Sequence, residues 1–137
     1  MCIRDRSKDR ESIIKIAESY LFKGLVEQKP DEIPLADNCT RTELGLNTGN
    51  DAKHLRMLLS SEAYDNVLDC YDLNWTVEGN QACVFYKQKL RQPDIPILVA
   101  TRFKIEDDLI HEIEIILYCP GMTDMFADEI KKAMDVK

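Results

Sequence analysis

The sequence has few positive charges, since 18 lysines and arginines face 25 aspartates and glutamates and leave a net charge of −7. Binding to a phosphate backbone depends on clustered lysine and arginine, so this balance predicts no nucleic-acid partner. The sequence also lacks an apolar run of the roughly 18 to 20 residues that cross a bilayer, and its N-terminus lacks the apolar stretch of a secretory signal. We expect a cytoplasmic protein without a membrane partner.

Motifs that hold metals, cofactors or disulfides are also missing. The five cysteines are odd in number, widely spaced and free of any C-x-x-C pair, which predicts reduced thiols packed as small hydrophobes. The two histidines lie far apart and match no known metal-ligand spacing. A glycine-rich phosphate loop and a G-x-S-x-G elbow are both lacking. We therefore predict no metal and no cofactor.

The overall amino-acid composition is that of an ordinary folded domain. Apolar residues make up 45% of the 137 residues and charged residues 31%. A domain of this length buries roughly two thirds of the surface of its unfolded chain, which is enough for a core and one internal pocket. The opening segment 1–6 resembles translated adapter sequence and is predicted to be a non-native leader. Residues 7–137 are predicted to form a single domain.

Three segments have the apolar spacing of amphipathic helices. The first extends from about Ser7 to Gln28 and includes Tyr20 on its apolar side, and two prolines follow it. The second begins after a cap at Asn50 or Asp51 and ends near Ser60. The third would extend from Met122 to Val136 as a terminal helix.

A short strand is predicted at Cys39–Glu43, because its threonines alternate with Cys39, Arg41 and Glu43, which then share one face. Three glycine and asparagine residues predict that the stretch from Gly45 to Gly49 is a loop.

Four further strands follow in the second half, and Glu78–Asn80 predicts a tight hairpin between the first two of them. Their approximate ranges are 67–77, 82–86, 97–105 and 109–118.

The last strand has two distinct faces. Its odd-numbered residues, including His111, share one face, and Glu112 and Glu114 lie on the other. These carboxylates can pair with Arg102 and Lys104 of the preceding strand in an opposite-charge ladder on the outside. The odd-numbered face is therefore predicted to point inward.

This order of elements, together with three short strings, resembles the cone-shaped superfamily of ketosteroid isomerases, SnoaL-like polyketide cyclases and nuclear transport factor 2. The strings are Ala36–Thr40, Thr48–Asn50 and Leu109–Ile113. The resemblance implies an α+β fold in which a curved antiparallel sheet wraps around a long N-terminal helix. The phrases Pro34–Gly45 and Val77–Ala82 further resemble a subgroup of small uncharacterised proteins.

The resemblance to ketosteroid isomerase implies roles for three residues. Glu43 matches the carboxylate base of that family, and Tyr20 matches its oxyanion tyrosine. Thr101 stands where that family has a protonated aspartic acid, and a threonine hydroxyl is a poorer acid.

Other candidates come from position on a predicted inner face. Arg41 lies two residues from Glu43, where it can hold that carboxylate ionised, clamp a ligand carboxylate, or close the pocket structurally. His111 is a candidate base or donor, with a satisfied core histidine as its structural alternative. The predicted pocket walls are apolar: Trp75, Phe85, Phe103, Ile113 and Ile115.

Two hypotheses of function follow from these residues. The first is a cofactor-free acid–base enzyme of the isomerase, cyclase or dehydratase kind, in which Glu43 moves a proton on a small, partly hydrophobic carbonyl substrate. The second is a non-catalytic module that binds a small molecule or forms a homodimer. In that module, Ile110, Ile116 and Tyr118 on the outer sheet face would form the interface.

Overall fold

The computed structural model describes residues 6–119 and 132–134. Its first helix, α1, spans Arg6–Ser19 and continues directly into a π-helical segment, Tyr20–Val26, so the long first helix is confirmed. A 3-10 turn, Pro30–Glu32, then reverses the chain. No helix in the described ranges is long and apolar enough to cross a membrane. The predicted terminal helix lies outside the described residues, apart from three helical positions at 132–134.

Six strands form one curved, open sheet in the order β2-β1-β6-β5-β4-β3. Neighbouring strands are antiparallel, except that β1 and β6 run parallel. A second helix, α2, spans Ala52–Leu59, and the carboxylate of Asp51 caps it by accepting from the backbone N–H of His54. The strand bounds are β1 Leu35–Glu43, β2 Leu46–Gly49, β3 Val67–Glu78, β4 Gln81–Leu90, β5 Ile97–Glu106 and β6 Leu109–Tyr118.

The loop predicted from Gly45 to Gly49 is wrong, because most of it is strand β2. Strands β1 and β2 are joined by the two residues Leu44 and Gly45, whose φ angles are 51° and 80°. Positive φ at both central positions is the geometry of a tight hairpin turn, for which Asn-Gly is the usual sequence. A leucine in the first position hides that signal from sequence analysis.

The prediction that β6 points its odd-numbered residues inward holds only for its second half. The pairing with β5 shifts by one residue, from Lys104 opposite Glu112 to Ile105 opposite Ile110. One extra residue in a strand reverses its alternation, so Ile110 is buried in the core while His111 is only partly buried. Beyond the shift, the charge ladder is confirmed for Arg102, which binds Glu112 and Glu114, each at 3.2 Å. Lys104 lies opposite Glu112 but forms its ion pair with Glu106, at 3.9 Å.

Candidate functional site

A fully buried arginine lies at the centre of the candidate site. The side chain of Arg41 on β1 has no exposed surface. Its Nη1 donates to the hydroxyl of Tyr20 at 3.0 Å, and its Nη2 donates to the backbone oxygen of Thr48 at 3.0 Å and to the hydroxyl of Tyr64. Its Nε lies 3.1 Å from the carboxylate of Glu43. These five residues are called the Arg41 cluster below.

Glu43 is the member of this cluster that solvent reaches, since 21% of its side chain is exposed. Its Oε1 atom accepts hydrogen bonds from the hydroxyls of Thr48 at 3.2 Å and Tyr64 at 2.9 Å, in addition to its contact with Arg41. Within residues 6–119 and 132–134, no hydrogen bond reaches Oε2. The carboxylate is thus fixed through one oxygen, while the other oxygen has no partner among the described residues.

Tyr64 closes the cluster from the segment between α2 and β3. It ends the 3-10 turn Glu62–Tyr64, and its ring lies 4.7 Å from the guanidinium carbon of Arg41. Its hydroxyl accepts from Arg41 while it donates to Glu43. This stacking and the two hydrogen bonds hold the charged pair in one geometry.

The buried environment keeps both tyrosines of the cluster protonated at neutral pH. Burial raises the pKa of Tyr20 to about 12, although the Arg41 charge works in the opposite direction. Burial likewise raises the pKa of Tyr64. For Arg41, burial opposes the charged form, yet its pKa is raised because Tyr20, Tyr64 and Glu43 favour the cation. Arg41 is therefore a cation that lies between two neutral phenols.

Of the predicted polar residues, the structure brings Tyr20, Arg41 and Glu43 together. Thr101 is also buried, but its hydroxyl lies 3.2 Å from that of Tyr86 and makes no hydrogen bond to the cluster. His111 lies apart, with its Nε2 atom 3.2 Å from the backbone oxygen of Glu106 beside the β5–β6 turn. The extra residue in β6 explains this displacement.

Among the predicted walls, four face the core and one does not. Phe103 packs edge-on against Tyr20 at 5.7 Å between ring centroids, and Trp75 lies 6.4 Å from Phe103. The indole Nε1 of Trp75 is buried without a hydrogen-bond partner among the described residues. Phe85 is 67% exposed on the outer sheet face, so its assignment as an inner wall is wrong. In β4 the even-numbered residues point inward. The sequence did not decide between the two faces, because both the odd-numbered and the even-numbered positions of this strand include apolar residues.

The remaining two walls, Ile113 and Ile115, are buried on the inner face of β6. Two grooves, of about 850 and 660 Å³, lie elsewhere: one beside the N-terminal half of α1 and one on the outer face of the sheet. Neither groove is lined by a member of the Arg41 cluster or by Thr101. The apolar residues predicted as pocket walls therefore pack against neighbouring side chains, and these two grooves do not provide the predicted internal pocket.

Sequence analysis missed three polar residues of the interior: Thr48, Tyr64 and Tyr86. Thr48 stands in one of the strings that indicated the fold, but it lies in the stretch predicted as a loop. Tyr64 occupies a turn with no periodic pattern. Tyr86 is recognisable only once the inward set of β4 is known.

Comparison with known proteins supports the fold. The family model described as "Domain of unknown function (DUF8021)" matches residues 6–117. A putative SnoaL-like polyketide cyclase from Jannaschia sp. CCS1 is similar in structure, with a TM-score of 0.67, 13% identity and coverage of 93% of this chain and 95% of that one. An LEH-like epoxide hydrolase from M. tuberculosis gives a TM-score of 0.66, with 15% identity and coverage of 90% and 93%.

A nuclear transport factor 2-like protein of unknown function from Cytophaga hutchinsonii ATCC 33406 gives a TM-score of 0.58, with 11% identity and coverage of 86% and 95%. Comparison with curated proteins gave no match. Identities this low establish the fold alone, which is the predicted nuclear transport factor 2-like cone.

Proposed function

Because this chain belongs to the DUF8021 family, whose description assigns no activity, we propose its function from the site itself: a cofactor-free acid–base enzyme in which Glu43 is the general base. Its substrate is a small, partly hydrophobic carbonyl compound. The observation that carries this proposal is the asymmetry of the Glu43 carboxylate. Oε1 accepts two hydrogen bonds and lies in ion-pair contact with Arg41, while Oε2 has no partner among the described residues and the side chain is partly exposed.

The proposed step transfers a proton from the carbon next to the carbonyl to Oε2 of Glu43, and the electrons of the broken C–H bond form an enolate. Tyr64 donates its one hydroxyl proton to Glu43 Oε1 in the resting site. Once Glu43 has taken the substrate proton and is neutral, it holds that donor less strongly, so the Tyr64 hydroxyl can turn to the enolate oxygen. Return of the proton to a different carbon gives an isomer. Arg41 acts through Glu43, because four of its N–H groups already have partners inside the protein. This internal pairing favours Arg41 as an orienting group over a clamp for a ligand carboxylate.

The fold is compatible with this chemistry, since its structural neighbours include proteins named as a putative polyketide cyclase and an epoxide hydrolase. We further propose that the enzyme works in the cytoplasm, where its free cysteines would stay reduced. Those thiols include Cys39, Cys70 and Cys83.

The test is exchange of the α-hydrogens of a panel of enolisable ketones with deuterated water, followed by NMR. Glu43→Gln should slow the catalysed exchange by about a hundredfold or more, because a general base typically contributes that factor. Glu112→Gln is the matched control, since Glu112 also pairs with an arginine but lies on the outer face. Exchange that is catalysed by the wild type and stays within about threefold in Glu43→Gln would rule out the base.

A second candidate function, formation of a homodimer, is favoured by the outer face of the sheet. Four large apolar side chains are exposed around the 660 Å³ groove on β3–β6: Phe85, Leu98, Ile116 and Tyr118. Such a patch can face its own copy across a two-fold axis, with charged groups such as the Arg102 ladder at its rim. Ile110, which was predicted to lie on this face, is buried in the core and takes no part.

If this face forms the dimer, Ile116→Glu should convert a dimer into a monomer, because it would bury two carboxylates without partners at the centre of the interface. Light scattering at high protein concentration measures the change in mass. Wild-type protein that remains monomeric at that concentration would exclude the dimer.

A further inference from the structure

The hairpin that carries Glu43 also exposes two leucines. Leu46 on β2 is the direct cross-strand partner of Glu43, so the two side chains lie on the same face, with their Cβ atoms about 5 Å apart. Leu46 is 69% exposed, and Leu44 in the turn is 51% exposed. An apolar surface is thus continuous with the one carboxylate of the Arg41 cluster that solvent reaches.

The turn presents Leu44 outward in an unfavourable backbone conformation. Its φ of 51° is in the left-handed region, which costs stability for a side chain larger than that of glycine or asparagine. Its backbone N–H is bonded to the oxygen of Ile115, which fixes the turn against β6. The Leu44 side chain is therefore exposed at a fixed position beside Glu43.

Among residues 6–119, the predicted apolar walls offer no comparable surface to the apolar part of a ligand. Phe103, Ile113 and Ile115 are buried against other side chains, and Phe85 is on the opposite face of the sheet. A ligand whose polar group is at Glu43 therefore meets exposed hydrocarbon first at the hairpin.

We propose that the ligand of this site is an amphiphile whose carbonyl end lies at Oε2 of Glu43 and whose hydrocarbon tail lies across Leu44 and Leu46, outside the cone. The position of the carbonyl end rests on the proposed function, whereas the position of the tail rests on the hairpin. The substrate class is thereby narrowed to carbonyl compounds with a hydrocarbon tail.

The experiment measures binding of methyl n-alkyl ketones, with chains from propyl to heptyl, by ligand-observed NMR titration. Each added methylene should tighten wild-type binding about twofold, less than the roughly fourfold expected for full burial, because one side of a chain on this surface stays in solvent. In Leu46→Thr this gain should fall below about 1.3-fold per methylene. Leu44→Asn should reduce the gain in the same way while raising the melting temperature by about 3 °C, because asparagine accepts the left-handed conformation.

Met57→Gln is the matched control, because Met57 on α2 is a similarly exposed apolar residue, at 63%, and has no part in the site. The proposal would be overturned if the increase in affinity per added methylene were equal in the wild type and in Leu46→Thr. It would also be overturned if Met57→Gln reduced this increase as much as Leu46→Thr does. Light scattering that shows a dimer dissolved by Leu46→Thr would assign the hairpin to a second copy and also overturn it. The two proposals can fail separately. If the increase in affinity per methylene depends on Leu46 but α-hydrogen exchange is unaffected by Glu43→Gln, the alkyl site is retained and the catalytic role of Glu43 is rejected.

Discussion

Arg41→Met lowers the free energy of unfolding by about 3 to 5 kcal/mol, the usual effect of removing one partner from a buried ion pair. The guanidinium has no exposed surface and is bonded to Tyr20, Thr48, Tyr64 and Glu43. Methionine approximates its length but donates no hydrogen bond, so a buried phenol and a backbone oxygen lose their donor. A loss of this size is a large fraction of the stability of an ordinary domain.

The measurement is urea unfolding followed by circular dichroism, and Arg102→Met is its control. Arg102 also pairs with two glutamates, but its side chain is 33% exposed on the outer face. Its replacement should cost less than about 1 kcal/mol, because solvent screens such pairs. Similar losses in the two variants would show that the Arg41 cluster does not stabilise the interior more than a surface pair does.

The protein should lose stability steeply under alkaline conditions. Burial raises the pKa of Tyr20 from 10.0 to about 12 and raises the pKa of Cys39 and Cys70 from 9.0 to about 12. Burial also raises the pKa of Tyr86. A raised pKa in the folded state means that the unfolded chain releases its protons first. Stability is therefore complete below about pH 9 and is lost as the pH rises toward about 12.

For Tyr20 alone, a rise of two pKa units corresponds to about 3 kcal/mol. Urea unfolding at about pH 8 and about pH 11 should therefore give clearly different free energies. Tyrosinate absorbance is a second measurement: Tyr20 and Tyr86 should ionise only when the chain unfolds, whereas all tyrosines titrate together in urea. A single ionisation step in folded protein, with unfolding free energies that do not change with pH, would contradict this prediction.

The features predicted correctly from the sequence are those that depend on local pattern. The helical spacing that begins near Ser7, the cap at Asp51 and the Glu78–Asn80 hairpin each involve residues a few positions apart. The pairing of Arg102 with Glu112 and Glu114 was also predictable, because alternation along two neighbouring strands fixes which charges face each other. Arg41 was found because it lies on the inner face of a regular element, whereas Tyr20 and Glu43 were found through the resemblance to ketosteroid isomerase.

The features that were missed depend on a single residue or on contacts distant in the sequence. One extra residue in β6 moved His111 away from the interior, and a leucine at a left-handed turn position concealed β2. Phe85 was assigned to the wrong face because both alternating sets in β4 contain apolar residues.

The sequence by itself therefore determined most of the elements and their order, since periodicity and turn chemistry act within one segment of chain, and the resemblance to a known superfamily supplied the cone. Only the tertiary structure placed Tyr64 over Arg41 and left Oε2 of Glu43 without a partner among the described residues, because packing between α2, β1 and β3 sets those positions. A turn without a periodic pattern gives no indication in the sequence of which distant residues its side chains contact.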